Sequence, residues 1–192
     1  MKKVRLLRKI LFFFLCTFWA AVTVVGLVIL TEKAVFYPLS EYKDEIISAA
    51  ERYDIDKALV FAIVKTESGF DKDAVSDKGA VGLMQMTERT ASYVAALRGI
   101  DNFDLFDPAT NIDFGCYYYK YLENRFGDMN VSLAAYNAGE GKVSGWLKDK
   151  RYSSDGKTLD ITPIEETAEY VERVNKSLRK YQNLYFNILD KR

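Results

Sequence analysis

Of the 192 residues in this chain, Glu67 is the one best placed to do chemistry. It falls near the end of an apolar stretch, Lys57 to Ser68, where Leu59, Ile63, Glu67 and Phe70 follow the i, i+4, i+8, i+11 spacing of one helix face. A carboxylate on the face that this pattern assigns to the core loses the water around its charged form, so its pKa rises. A glutamic acid with a raised pKa holds its proton near neutral pH and can act as a general acid. Spacing alone leaves a second reading open, a glutamate at a frayed helix end that turns out to water.

Composition narrows the chemistry further. The chain has no histidine, which removes the Ser-His-Asp and Cys-His nucleophile systems. The usual zinc sites need imidazoles or several thiolates, and only Cys16 and Cys116 are present. Carboxylates, Tyr and Lys are left for proton transfer. Other constellations are less specific, and each has a plain structural reading. Gly82-Leu83-Met84-Gln85 presents an amide in a tight loop, or simply connects two helices. Tyr136-Asn137-Ala138-Gly139 closes a helix, as Asn and Gly commonly do. Glu166 sits in the first turn of the last helix, where an acid favours the dipole. Tyr117, Tyr118 and Tyr119 offer a sugar-stacking face or core aromatics.

These residues need helices to position them. Ser40 is expected to cap a first helix with Ile46, Ala50 and Tyr53 at helical spacing, and Asp56 a second that stops at Gly69. Thr87 opens a helix ending near Gly99. Asp107-Pro108 starts another, with Ile112, Cys116, Tyr119, Leu122 and Phe126 on one stripe and Gly127 at its end. Asn130 is expected to cap the next, which Gly139 and Gly141 break before a short helix around Trp146. Asp149 to Asp160 reads as a surface loop. Thr162, Pro163 and Glu165 then spell a capping box for a last helix running toward Leu189. No run alternates convincingly as a strand, and there is no internal repeat. The body reads as one mostly α domain, and Cys116 on its apolar stripe as a small buried hydrophobe.

Taken in order, Glu67-Ser68-Gly69-Phe70, Gly82-Leu83-Met84-Gln85, Ala135-Tyr136-Asn137-Ala138-Gly139 and Glu166-Thr167 with Tyr170-Val171 resemble the bacterial soluble-lytic-transglycosylase family. The resemblance spans roughly Ile46 to Tyr185 and includes Asp107-Pro108 with Asn111-Ile112. It implies a goose-type-lysozyme-like fold that cleaves peptidoglycan without metal or cofactor. Carried over, Glu67 matches the catalytic acid/base. Gln85, Tyr136, Asn137 and Glu166 match cleft residues or motifs, and Ser76 aligns with another cleft position. Two positions depart from the pattern. Thr87-Glu88 stands after Met86 where the family usually has Met-Pro, and Glu140 replaces a Pro. Ordinary glycosidases use two carboxylates; the resemblance implies one, because the C6 hydroxyl of N-acetylmuramic acid attacks C1 to form a 1,6-anhydro ring. A hydrolytic muramidase drawing on Asp71 or Asp73, and an idle glycan-binding scaffold, are the competing readings.

The N-terminus supplies the setting. Ile10 to Leu30 is a run of 21 uncharged, mostly apolar residues. As a helix it would be about 31 Å long, close to the thickness of a bilayer core. Lys2, Lys3, Arg5, Arg8 and Lys9 precede it with no acid among them, which favours a cytoplasmic N-terminus. The rest of the chain then carries 22 basic against 27 acidic residues, a net of −5 that argues against nucleic acid as partner. The expected organisation is a cytoplasmic basic segment over 1–9, a transmembrane signal-anchor over 10–31, a linker over 32–39 and a catalytic domain over 40–190, on the cell-wall side. The run exceeds a usual signal-peptide core, although a cleaved signal would export the body equally. Protease added to intact spheroplasts should therefore digest the body while it stays membrane-bound. A soluble secreted form beginning near residue 26 would show cleavage instead.

Overall fold

The computed structural model describes residues 2–32 and 41–185, and the chain divides into two units, Met1–Pro38 and Leu39–Arg192. The first unit is helix α1, Lys2–Thr31, whose stretch Lys9–Thr31 is long and apolar enough to cross a membrane. Its threonine hydroxyls bond back to carbonyls of the same helix. Thr17 Oγ1 donates to Phe14 O at 2.9 Å and Thr23 Oγ1 to Trp19 O at 2.6 Å.

The second unit is built around α3, Lys57–Glu67, in which every residue from Ala58 to Val64 is buried. A helix apolar on all sides must be enclosed by others. α2 (Lys43–Arg52), α5 (Pro108–Phe126) and α8 (Glu165–Leu184) surround it, the first and last in direct contact with it and α5 against α2. α8 supplies a buried stripe of Thr167, Tyr170, Val174, Leu178 and Tyr181, and Tyr181 meets Phe61 of α3 with ring centroids 5.3 Å apart. Burial of each large side chain of α3 stabilises the fold by roughly 1.5–3 kcal/mol. Helices α4 (Glu88–Arg98), α6 (Met129–Ala138) and α7 (Glu140–Lys148) complete the unit. The mostly helical architecture is as expected.

Several starts and stops follow the sequence. Asp56, Thr87 and Asp107 each accept an N–H of the helix they open, and Gly99 and Gly127 end α4 and α5 in the left-handed region. Others do not. Asp128, not Asn130, caps α6: it follows directly on Gly127 and takes the Val131 N–H at 2.9 Å, while Asn130 accepts from Asn175 of α8. α8 begins after Ile164, so Thr162 and Pro163 lie outside it and the expected capping box does not form. Glu165 and Glu166 instead face the positive helix end. Gly141 lies within α7, and only Gly139 breaks the chain there. Ser40, residues 33–39 of the expected linker and Leu189, toward which the last helix was expected to run, lie outside the described residues, within which α8 ends at Leu184. α2 starts at Lys43 after Tyr42, which makes no side-chain cap.

A small hairpin also forms, β1 (Ala80–Val81) against β2 (Met86–Thr87), with Ala80 opposite Thr87 and Val81 opposite Met86. Two residues per strand are too few to register as alternation. Its turn, Gly82 to Gln85, enters the core, where Leu83 and Met84 are fully buried.

On the other side of the unit, Asp113 of α5 joins α2 and α4 by accepting from Arg52, Arg98 and the Tyr53 hydroxyl. Burial pushes its carboxyl upward, but these three partners outweigh it and hold the pKa below the usual aspartate value. A folded pKa below the unfolded one gives stability that is present above the unfolded pKa and lost as pH falls through the folded one. Asp113→Asn should cost about 1–3 kcal/mol at pH 7, and the gap should close on acidification toward pH 3. Urea unfolding at both pH values reads this out; a gap independent of pH would contradict it.

Candidate active site

α3 delivers Glu67 as its last residue, half-buried. Beyond it the chain reverses: Gly69 and Phe70 take φ of 63° and 71°, and a left-handed non-glycine at Phe70 marks local strain held in place by its surroundings. Ser68 secures this reversal. Its hydroxyl accepts the Phe70 N–H at 3.1 Å and donates to Leu83 O at 2.9 Å, tying the residue next to Glu67 to the hairpin turn.

Glu67 borders a cleft of about 350 Å³ that Ser76, Gln85, Tyr136, Asn137 and Glu166 also line. The six residues matched to the family's site are thus brought to one cavity, whereas Tyr117 and Tyr119 of the tyrosine triplet do not line it. Desolvation pushes the Glu67 carboxyl up to about 7, against the opposing pull of the Tyr170 hydroxyl and the Arg173 charge. That hydroxyl is buried and has no partner of standard hydrogen-bond geometry, so its hold on Glu67 is loose. Burial, then the nearby Glu67 charge, pushes Tyr136 and Tyr170 well above the usual tyrosine value. Both phenols therefore stay protonated.

What each wall residue offers follows from what the protein already uses. Gln85, at φ 47°, donates from Nε2 to Ala74 O at 3.1 Å and Gly82 O at 3.0 Å, so its Oε1 is the group left to a ligand. Tyr136 gives its proton to Met84 O at 2.8 Å and retains acceptor capacity. Asn137 Oδ1 accepts from Thr167 Oγ1 at 2.8 Å, which leaves the amide nitrogen as donor. Ser76 Oγ accepts the Ala80 N–H at 3.0 Å and keeps its own proton. Glu166 is exposed and takes Lys78 Nζ on both oxygens, at 2.8 and 3.0 Å, an ion pair that lowers its pKa.

Tyr118, Met86 and Thr87 also line the cleft, and so do Asp77, Lys78 and Thr90, which were not singled out. Tyr118 was visible within the tyrosine triplet, whereas nothing in the sequence marks Lys78. Met86 keeps its place beside the Tyr136 hydroxyl, 3.5 Å from its sulfur, although Thr87 follows it. Glu140, standing where a Pro is usual, anchors its loop by accepting from Arg125 at 2.7 Å and from Tyr121 at 3.1 Å. Asp71 and Asp73 are exposed and absent from the cleft lining. Asp71 accepts the Asp73 N–H, and Asp73 pairs with Lys72. Among the described residues no group of His, Cys, Asp and Glu is arranged to hold a metal ion.

The chain has known relatives. It is 33% identical over 144 residues to the soluble lytic murein transglycosylase of Salmonella typhimurium, covering 72% of this chain and 22% of that protein. It is 32% identical over 174 residues to the membrane-bound lytic murein transglycosylase C of Edwardsiella ictaluri, covering 75% and 47%. The chain thus spans less than half the length of either. Among solved structures, an inactive glutamate-to-glutamine mutant of the lytic transglycosylase Slt from Pseudomonas aeruginosa superposes with a TM-score of 0.68 at 32% identity, over 77% of this chain and 24% of that one. Residues 44–159, which carry the α3 carboxylate, the hairpin turn and the Tyr136-Asn137 wall, match the family described as the Transglycosylase SLT domain, and the chain belongs to that family.

Proposed function

We propose that this protein is a peptidoglycan lytic transglycosylase, tethered to the membrane by α1 with its domain on the cell-wall side, and that Glu67 is its single acid and base. The observation that carries this reading is the desolvated Glu67 carboxyl on the cleft wall, with a pKa near neutrality. The other two carboxylates of the lining, Asp77 and Glu166, are exposed. One group that must be protonated for bond cleavage and ionised for ring closure works best with a pKa near the working pH. The activities named for the soluble and membrane-bound relatives support the same reading, as does the inactive glutamate-to-glutamine neighbour.

In this mechanism the cleft holds a glycan so that protonated Glu67 meets the β-1,4 oxygen between N-acetylmuramic acid and N-acetylglucosamine. The C1–O bond breaks, the proton passes to the leaving oxygen, and positive charge develops at C1. Glu67, now a carboxylate, removes the C6 hydroxyl proton as that oxygen bonds to C1. The product is a 1,6-anhydro end; no water is consumed, and Glu67 regains its proton. Intramolecular attack replaces a bimolecular step by one that depends on holding the sugar in the right shape. Gln85 Oε1 and the Asn137 amide nitrogen suit the hydroxyl and acetamido groups of such a sugar, with Ser76 and Tyr136 beside them. Glu166 stands at the exposed part of the cleft with Lys78. Hydrolysis would need a second carboxylate to activate water, and the exposed Asp71 and Asp73 lie outside the lining.

Glu67→Gln should remain folded and lose cleavage by at least about 10²–10⁴-fold. Mass analysis of the products released by the unaltered protein should show anhydro ends. Reducing ends would indicate a hydrolase, and near-normal cleavage by the folded mutant would overturn the role of Glu67. Stability offers a second reading of the same carboxyl. Its folded pKa of about 7 exceeds the unfolded value of 4.5, so the unfolded chain binds fewer protons between them and the fold weakens as pH rises through that window. The full cost, on the order of 3 kcal/mol, is reached above the folded pKa. Glu67→Gln should therefore be the more stable protein in urea at pH 8, and the two should converge toward pH 4; a mutant less stable at pH 8 would contradict the desolvated acid.

A further inference from the structure

Asn111 of α5 is 1% exposed and does not border the cleft, yet two of the three hydrogen bonds of its amide go to the hairpin that does. Oδ1 accepts from Met84 N at 2.7 Å, and Nδ2 donates to Val81 O at 2.9 Å and to Leu105 O at 2.8 Å. Only this orientation serves all three partners, because two carbonyls need N–H donors and the Met84 N–H needs an acceptor. The fit is close. A Cβ on Gly82, which takes φ +77°, would lie 2.2 Å from Asn111 Nδ2 and 2.8 Å from Leu105 O.

The turn held in this way passes its position to the cleft. Leu83 O receives the hydroxyl of Ser68, the residue bonded to Glu67, and Met84 O receives the proton of Tyr136. Gln85 itself borders the cavity. We infer that Asn111 is a positioning residue that, by fixing the Gly82–Gln85 turn from behind, sets where Glu67, Gln85 and Tyr136 stand relative to one another. The inference rests on the reading of Glu67 as acid and base. It assigns the amide a task beyond stabilising the fold, since its hydrogen bonds reach the active-site wall from a side chain that does not itself border the cleft.

The test compares Asn111→Asp, which keeps an acceptor for Met84 N but loses both donors, with Asn111→Leu, which loses all three bonds. Steady-state cleavage of purified glycan strands is measured per folded molecule. Misplacing a site by about 1 Å from a distance can cost roughly 10²-fold, and a drop of that size in kcat is expected for both variants. KM should change by less than about threefold, because the sugar-binding side chains remain. The alkaline midpoint of kcat should move toward lower pH as the enclosure of Glu67 loosens. Variants that melt earlier but keep the normal kcat and midpoint would overturn the inference and leave Asn111 a structural residue. If neither variant folds, Gly115→Ala presses the same turn from the next turn of α5 with Asn111 intact, since a Cβ there would lie 2.5 Å from Met84 Sδ and 2.7 Å from Met84 Cβ. A similar loss of kcat would support the inference, and an unchanged kcat would overturn it. Failure of the unaltered protein to release anhydro ends would strike the reading of Glu67 instead, so the two failures are distinguishable.

Discussion

A carboxyl group kept from water at the end of an apolar helix is the constraint on which the rest of this domain depends. α3 is buried from Ala58 to Val64, so its half-buried last residue cannot regain full hydration without the helix leaving the core. Glu67 accordingly sits where its charged form is disfavoured. The negative end of the helix dipole acts in the same direction. The protein leaves this cost in place at one residue and opens a cleft beside it. The tyrosines at 136 and 170, pushed well above their usual range, stay neutral beside it and so add no competing charge.

Holding such a group still requires rigid surroundings, and these come from an irregular segment. The Gly82–Gln85 turn is threaded through the core, and polar groups buried with it must be paired. Asn111 pairs three of them, while Ser68, Tyr136 and Gln85 pair others, so that one set of hydrogen bonds both satisfies the buried backbone and orients the site. Glycines at 82 and 115 supply the room, at the surface of Asn111 and beneath Met84 respectively. Stability and geometry are in this respect the same set of contacts.

Much of this was legible in the sequence, for local reasons. The caps at Asp56, Thr87 and Asp107 and the stops at Gly99 and Gly127 are read from single residues acting on their neighbours. Glu67 could be picked out because helical spacing alone puts a carboxylate among apolar partners. Asn130 and the Thr162 box misled because several capping residues stand close together, and which one is used depends on where the chain arrives from the previous helix. The hairpin was hidden by its brevity. Asn111 and Lys78 were invisible as site residues because their partners lie 27 and 88 positions away, at Met84 and Glu166. Such partnerships exist only once α5 and α8 have docked.

The account turns on the protonation of Glu67, and that can be observed directly. Carbon-13 NMR of the side-chain carboxyl in the folded domain, assigned by comparison with Glu67→Gln, would follow its titration residue by residue. The account predicts a midpoint near pH 7, well above the free value of 4.5. A midpoint at or below 4.5 would contradict it, because a carboxyl already ionised at working pH could not deliver the proton that breaks the glycosidic bond.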